Sequence, residues 1–224
     1  NQLRYFLPHV LALSASSPFW HGRDTGLKSY RSVVFENLPR TGIPRQFESY
    51  ASYRRYVDTL LKTGSIAEPT HIWWDVRPSE KFPTLEVRIP DMCTRVEETL
   101  CLVALIQAIT AKLVQLRQAN QSWRLYRKDL IDENKWRALR YGPEGKLIDF
   151  GKEKEIPFST LIDEILAWVD DVLDDLGSRD AVEYVYTILR EGTSADRQLE
   201  VYRQTDDLRA VVDHVVKETQ ESIT

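Results

Sequence analysis

Hydrophobic residues along this 224-residue chain follow helical spacing at both ends and strand-like alternation in the middle. Residues 2–15 form an almost continuous apolar stretch that ends at Ser16-Ser17-Pro18, which predicts a helix. Residues 49–64 place their apolar side chains on one stripe, and Gly64 is a typical helix stop. The segment 16–46 between them is rich in Ser, Gly, Thr, Pro and Arg, so we expect a long, ordered loop with short pieces of structure.

Two short segments in the middle of the chain alternate apolar and polar residues, as strands do. They place Asp75, Arg77, Glu86 and Arg88 on one face of a hairpin. A loop over residues 78–83 would set Asp75 opposite Glu86, where two carboxylates need a cation or a proton between them. A tight turn would set Arg77 opposite Glu86 and give cross-strand salt bridges instead. The prolines at both ends of the loop favour the first register.

The second half of the chain has the pattern of successive helices. The residues Thr94-Arg95-Val96-Glu97 have the form of a capping box, which predicts a helix from there to Arg117. That helix is apolar nearly all round, so we expect it to be buried. Further helices are predicted at 133–141, 160–176, 181–191 and 196–214, the last with a break near Thr205. Strands followed by many helices indicate an α+β protein with a mostly helical C-terminal half.

Composition excludes some functions and leaves others open. Lys and Arg total 30 against 34 Asp and Glu, a net charge of −4 that gives no reason to expect nucleic-acid binding. The longest apolar segment, 100–116, is interrupted by Gln107 and Lys112, so no membrane-spanning helix is expected. Cys93 and Cys101 have no metal-binding spacing and suit buried thiols in a reducing compartment. We therefore predict a cytoplasmic protein.

Three polar segments could carry chemistry, and each also has a purely structural interpretation. The hairpin face could hold a metal–nucleotide, or it could be a solvated lattice of salt bridges. The hydroxyls, glycines and arginines of residues 16–31 could bind carboxylate or phosphate, or could simply form a connecting loop. Asn134, Arg137 and Arg140 share a helix face that could grip a polyanion or be a solvated basic surface.

Taken in order, these segments resemble the carboxylate–amine ligases of the YbdK type, the type 2 glutamate–cysteine ligase family. Five motifs in the same order carry the resemblance and cover most of the chain. They are Ser16-Ser17-Pro18-Phe19-Trp20 with Thr25-Gly26 and Ser29/Arg31; Trp74-Asp75-Val76-Arg77-Pro78; Thr84-Leu85-Glu86-Val87-Arg88 with Asp91; Glu133-Asn134-Lys135-Trp136-Arg137-Ala138 with Arg140-Tyr141-Gly142; and Gly192-Thr193-Ser194-Ala195-Asp196.

The resemblance implies a glutamine synthetase-like fold, in which an antiparallel sheet flanked by helices forms the active site. It implies that ATP phosphorylates the γ-carboxyl of glutamate and that an amine, classically that of cysteine, attacks the acyl phosphate. It further implies ATP and Mg²⁺ as cofactors, small-molecule substrates and the following roles. Glu86 would bind the metal; Arg88 and Arg77 would be catalytic; Ser17, Thr25, Arg31 and Trp74 would bind substrate; Asn134, Arg137 and Arg140 would bind nucleotide.

One departure from the family pattern is large. The family's N-terminal acidic strand and His-rich strand, which contribute further metal ligands, have no counterpart here. We therefore expect residues 1–224 to be the C-terminal portion of a single catalytic domain. A ligase with a different acceptor amine, and a catalytically silent scaffold or regulatory subunit, stay open as alternatives, and so does a homodimer.

Overall fold

The computed structural model describes residues 1–223 and shows an α+β protein, which confirms the predicted class. Ten α-helices and eight short strands are present in the described residues. The helices are α1 Leu7–Ser14, α2 Tyr30–Glu36, α3 Tyr50–Lys62, α4 Val96–Gln118, α5 Lys128–Tyr141, α6 Phe158–Leu173, α7 Arg179–Glu183, α8 Val185–Glu191, α9 Ser194–Thr205 and α10 Leu208–Glu221. The strands are β1 Phe19–Trp20, β2 Arg23–Asp24, β3 Thr41–Gly42, β4 Trp73–Trp74, β5 Val76–Pro78, β6 Leu85–Val87, β7 Lys146–Asp149 and β8 Lys154–Pro157.

The strands of the described residues form four separate pairs rather than one sheet. Three pairs are antiparallel, namely β1–β2, β5–β6 and β7–β8, whereas β3 and β4 run parallel. The central polar segment is therefore not one continuous strand, because β4 pairs with β3 and β5 pairs with β6. Asp75 lies at the change from one pair to the other.

The main core is built around the N-terminal helix. Every residue of α1 is buried, and the helix packs against α4 and α5. Leu105 and Ile109 of α4 and Ile162 of α6 are fully buried in the same core. A second, smaller core lies between α3 and β4.

The long helix α4 differs from its prediction in two ways. Thr94 does not cap it, because the Thr94 hydroxyl donates to Glu218 and the helix begins after Arg95 without a side-chain cap. The helix is also not buried all round, since Leu100, Val103 and Val114 are exposed. Tertiary packing therefore buries only the face that meets α1, α6 and α7.

By length and composition α4 could cross a membrane, and it is the one helix in residues 1–223 that meets this test. We had expected Gln107 and Lys112 to exclude a membrane-spanning helix, but α4 meets the length and hydropathy test with both residues included. In the folded chain 39% of its most apolar window is buried, and a core helix of a soluble protein meets the same test.

Candidate functional site

The register of the β5–β6 hairpin decides which polar groups meet. Arg77 lies directly opposite Glu86, so the structure adopts the tight-turn register and the preference for the longer loop was wrong. The pairing continues past Pro78, because the Ser79 N–H donates to the Thr84 carbonyl at 2.9 Å. The Ser79 hydroxyl also accepts the N–H groups of the next turn, which lets the chain reverse despite its prolines.

Glu86 is held by two arginines. Its Oε2 accepts from Arg77 Nε at 2.9 Å and Nη2 at 2.7 Å, and its Oε1 accepts from Arg88 Nη1. Partial burial alone would raise the pKa of Glu86, but the two guanidinium groups outweigh it and hold this pKa below its usual value. Glu86 is thus an ionised carboxylate whose two oxygens already have cationic partners.

This geometry decides whether Glu86 can bind a magnesium ion. Mg²⁺ takes oxygen ligands and needs several of them in near-octahedral geometry. Across residues 1–223, no three His, Cys, Asp or Glu side chains lie close enough to hold a metal. The described residues therefore offer no cluster of three protein ligands, and a Mg²⁺ held by Glu86 would take its other oxygens from water or phosphate. It would also have to displace at least one arginine from Glu86.

A narrow recess beside the hairpin collects charged side chains from four parts of the fold. It lies between α2, the β3–β4 pair, the end of β6 and α5. Its charged lining consists of Arg31, Glu36, Asp75, Arg88 and Lys135. Three cations face two carboxylates there, while Glu86 and Asp91 just outside the recess pair with Arg88 and Arg31. The open volume is about 10 Å³, so the recess has room for a single oxygen atom of an anionic ligand group.

The buried centre of the recess is the ion pair of Lys135 with Asp75. Lys135 Nζ lies 2.9 Å from Asp75 Oδ2 and 3.2 Å from Glu36 Oε1. Burial alone would lower the pKa of Lys135, but the two carboxylates outweigh it and raise this pKa. Burial raises the pKa of Asp75, and Lys135 opposes that shift. The lysine therefore stays charged and neutralises the base of the recess.

Lys135 was not singled out in the sequence, although a signal was present. It falls on the same face of α5 as Ile131, Ala138 and Leu139, all of which are buried. A lysine at a core-facing helical position is rarely left without a partner. Asp75 is that partner, in place of the cross-strand contact with Arg88 that the tight-turn register suggested.

The N-terminal loop is organised around a buried carboxylate. Asp91 accepts from the Ser16 N–H at 3.0 Å, from the Ser17 hydroxyl at 2.7 Å and from the Ser29 hydroxyl at 2.8 Å. Burial raises the pKa of Asp91, and these three donors oppose the shift. Ser17 also accepts the Arg31 N–H at 3.0 Å, so its hydroxyl is engaged inside the loop.

The other three expected substrate-binding residues have different surroundings. The Thr25 hydroxyl donates to the Pro18 carbonyl at 2.7 Å and closes the loop. Arg31 lines the recess and donates to the carbonyls of Arg88 and Ile89. Trp74 is buried in the second core, stacked on Tyr56 with ring centres 5.4 Å apart, while its neighbour Trp73 lines the recess.

The three residues of α5 that were expected to contact nucleotide lie in three different surroundings. Asn134 is buried and exchanges two hydrogen bonds with the Ile148 backbone, at 2.8 and 2.7 Å, which ties α5 to β7. Arg137 pairs with Glu133 and Glu155 at 2.8 and 2.6 Å. Arg140 lies over Tyr141 and beside Gly26 of the N-terminal loop. None of the three lines the recess.

The fold and these contacts define an α+β protein with a cation-lined recess next to an arginine-bound carboxylate. The profile of glutamate–cysteine ligase family 2 matches residues 1–214. A protein of Herpetosiphon aurantiacus, provisionally named glutamate–cysteine ligase 2, is 54% identical over 223 residues, which are 100% of this chain and 58% of the relative. Proteins with the same provisional name from Chloroflexus aggregans and Solibacter usitatus are 55% and 52% identical over 100% and 98% of this chain, and 57% of each relative.

The chain belongs to glutamate–cysteine ligase family 2, as its motifs predicted. It spans somewhat under three-fifths of the length of these relatives.

Proposed function

We propose that the protein containing this chain is an ATP-dependent ligase that joins the γ-carboxyl of glutamate to the amine of a second amino acid. In the proposed reaction, the glutamate carboxylate takes the terminal phosphoryl group of ATP and ADP leaves. The amine then attacks the acyl phosphate, the new amide bond forms and phosphate departs. Membership of a family described by glutamate–cysteine ligase activity supports this proposal.

The observation that carries the proposal is the position of Arg88 between Glu86 and the recess. Its Nη1 binds Glu86, and its Nε is buried without a hydrogen-bond partner among residues 1–223. A guanidinium with an unused inward donor is suited to a carboxylate or phosphoryl oxygen. Phosphoryl transfer depends mainly on such positioning and on charge neutralisation.

The proposed roles come from the family resemblance, and the positions of Arg88 and Arg31 at the recess support those of these two residues. Arg88 and Arg77 neutralise the phosphoryl group, and Arg31 orients the amino-acid carboxylate. Ser17 and Thr25 hold the loop that presents Arg31, and Trp74 supports the adjoining strand. Glu86 is the proposed Mg²⁺ ligand, with further ligands supplied from outside residues 1–223. Nucleotide binding by Asn134, Arg137 and Arg140 stays a prediction, as do the cytoplasmic location and the homodimer.

A silent scaffold is the second candidate, and the closed ion pairs of Glu86 favour it. In that case Arg77, Glu86 and Arg88 would be a salt-bridge lattice that only stabilises the hairpin. Because Arg77 is buried, loss of the Glu86 carboxylate would lower stability under both candidates. The two candidates therefore differ in activity rather than in folding.

The first test measures ADP release by the complete gene product with glutamate, cysteine and Mg²⁺. We expect Glu86→Gln and Arg88→Met to lose at least about a hundredfold in turnover, as removal of one charge-stabilising group does in other enzymes. Glu200→Gln on α9 removes an exposed carboxylate paired with Arg203 and serves as the control. It should keep full turnover.

The outcome that would overturn the ligase is defined by two measurements on the wild-type protein. A screen of amino-acid acceptors would replace cysteine if cysteine alone gives no ADP. No turnover with any acceptor, together with no binding of Mg²⁺–ATP in calorimetry, would establish the silent scaffold. Turnover with another amine would keep the reaction class and change only the acceptor.

A further inference from the structure

Lys135 lies on the buried face of α5, and a gain in stability does not explain why a charged residue is buried there. The residue is only 4% exposed, with Asp75 and Glu36 as its partners. Burying a lysine is costly unless the ammonium group is paired. Even when paired, such an ion pair is often no more stabilising than apolar residues of the same size. A role in the neighbouring recess would explain why charges occupy this position.

Asp75 forms the corner at which two strand pairs meet. Its N–H donates to the Gly42 carbonyl at 2.9 Å, and its carbonyl accepts from the Arg88 N–H at 2.8 Å. The Arg88 carbonyl in turn accepts from Arg31 Nη2 at 3.0 Å. A displacement of this corner would therefore move both arginines of the recess.

The Asp75 carboxylate also competes for those arginines. Arg31 attracts this carboxylate electrostatically, although Lys135 is its stronger partner. Without Lys135, Asp75 and Glu36 would be two carboxylates without their common cation, beside guanidinium groups that line the same recess. An arginine bound to an internal carboxylate cannot use the same donors for a ligand.

We propose that Lys135 is a positioning residue, which neutralises Asp75 and thereby keeps the remaining donors of Arg31 and Arg88 available to an oxyanion of the substrate. The other donors of these arginines are held by backbone carbonyls and by Glu86. The oxyanion is a carboxylate or a phosphoryl group, which offer the same chemistry to a guanidinium. Lys135 acts through the two arginines and does not touch the substrate. This inference rests on the proposed function and gives a role to Lys135, a residue that lies inside a family motif but had none assigned.

The test compares Lys135→Met with the double variant Lys135→Met/Asp75→Asn in the complete gene product. Lys135→Met should lower kcat/KM by roughly tenfold or more, the equivalent of one charged hydrogen bond. The double variant removes both charges, so it should return kcat/KM to within roughly threefold of wild type. Lys135→Arg should also keep most of the activity, because it retains the charge.

The matched control is Lys112→Met, which breaks the 2.5 Å ion pair of α4 with Asp171 far from the recess in sequence and fold. It should leave kcat/KM unchanged. The KM values for glutamate and for ATP, measured separately, tell whether a carboxylate or a phosphoryl group occupies the recess. A purely structural lysine would lower the melting temperature of Lys135→Met but leave kcat/KM unchanged at temperatures where the variant is folded, and that result would overturn the inference.

Binding measurements keep the inference testable apart from catalysis. Calorimetry with glutamate and with inorganic phosphate should show weaker binding of one of them to Lys135→Met, with recovery in the double variant. If the wild type binds neither anion and releases no ADP, the proposed function fails together with the inference. If the wild type is active and Lys135→Met binds both anions normally, only the inference fails.

Discussion

Asp91 shows how a single buried carboxylate can organise a loop. Four backbone and hydroxyl groups meet at this residue, since the Ser14 hydroxyl also accepts the Asp91 N–H at 3.1 Å. An amide in place of the carboxylate exchanges one acceptor oxygen for an NH₂ donor. At least one of the groups that donate to Asp91 then has no acceptor. We expect Asp91→Asn to lower the free energy of unfolding by about 1–3 kcal/mol in urea denaturation.

An exposed aspartate provides the comparison for this change. Asp129 pairs with Arg127 on the surface, with side-chain exposures of 77% and 82%. Such pairs contribute little, so Asp129→Asn should change the free energy of unfolding by less than about 0.5 kcal/mol. Equal effects of the two substitutions would show that Asp91 is not the organising group of the loop.

At the scale of elements, an ion network connects α10 to the rest of the fold. Glu218 of α10 accepts from Arg197 Nη2 of α9 and from Arg95 Nε at the start of α4, both at 3.0 Å. Burial alone would raise the pKa of Glu218, but Arg197, Thr94 and Arg95 outweigh it, and the pKa of Glu218 is held below 4.5. The unfolded chain therefore takes up this proton at higher pH than the folded chain does.

The pH dependence of Glu218→Gln follows from that direction. The stability due to the ionised carboxylate is complete above the unfolded pKa and is lost as the pH falls through the folded pKa. We expect Glu218→Gln to cost about 2 kcal/mol at neutral pH, and the difference from wild type to shrink below pH 4.5. Glu98 shares Arg197 with Glu218, and Glu218 raises the pKa of Glu98, so the difference reports Glu218 together with its coupling to Glu98. Urea denaturation between pH 3 and pH 7 measures it, and a difference that grows in acid would contradict the assignment.

Helix boundaries in this chain could be predicted where local chemistry sets them. Ser49 accepts the Ser52 N–H and begins α3, and Thr193 with Asp196 forms a capping box on α9. The break near Thr205 is also present, between α9 and α10. The β7–β8 hairpin was missed, because its strands have only four residues each and are held partly by the Asn134 side chain of the preceding helix α5.

The candidate site was less predictable than the helices, because its geometry depends on contacts between distant segments. Arg31 and Arg88 could be proposed from their motifs, but nothing local shows that they line one recess. The partner of Asp75 comes from a helix 60 residues later in the chain, as the pair Asp75–Lys135 shows. The register of the hairpin depended on hydrogen bonds that the Ser79 hydroxyl accepts from the Lys81 and Phe82 N–H groups, which outweigh the preference of the two prolines.

At the scale of the whole molecule, one face of α4 exposes a stripe of apolar side chains to solvent. Leu100, Val103 and Val114 are 55%, 58% and 51% exposed, and they recur at helical spacing along one face. The hairpin side chains Phe82 and Leu85 are exposed beside it, which extends the apolar surface to the β5–β6 pair. Contiguous surfaces of this kind in soluble proteins are normally covered by another chain or another part of the same chain.

We therefore expect residues 1–224, expressed alone, to associate with increasing concentration in sedimentation velocity. Val103→Lys places a charge in the centre of the stripe and should reduce this association, with little change in melting temperature because the position is already exposed. Gln204→Lys adds the same charge to the exposed end of α9 and should not reduce it. If both variants reduced association equally, net charge rather than the α4 stripe would govern it. If the wild-type chain stayed monomeric at every concentration, the stripe would not be a contact surface of the isolated chain.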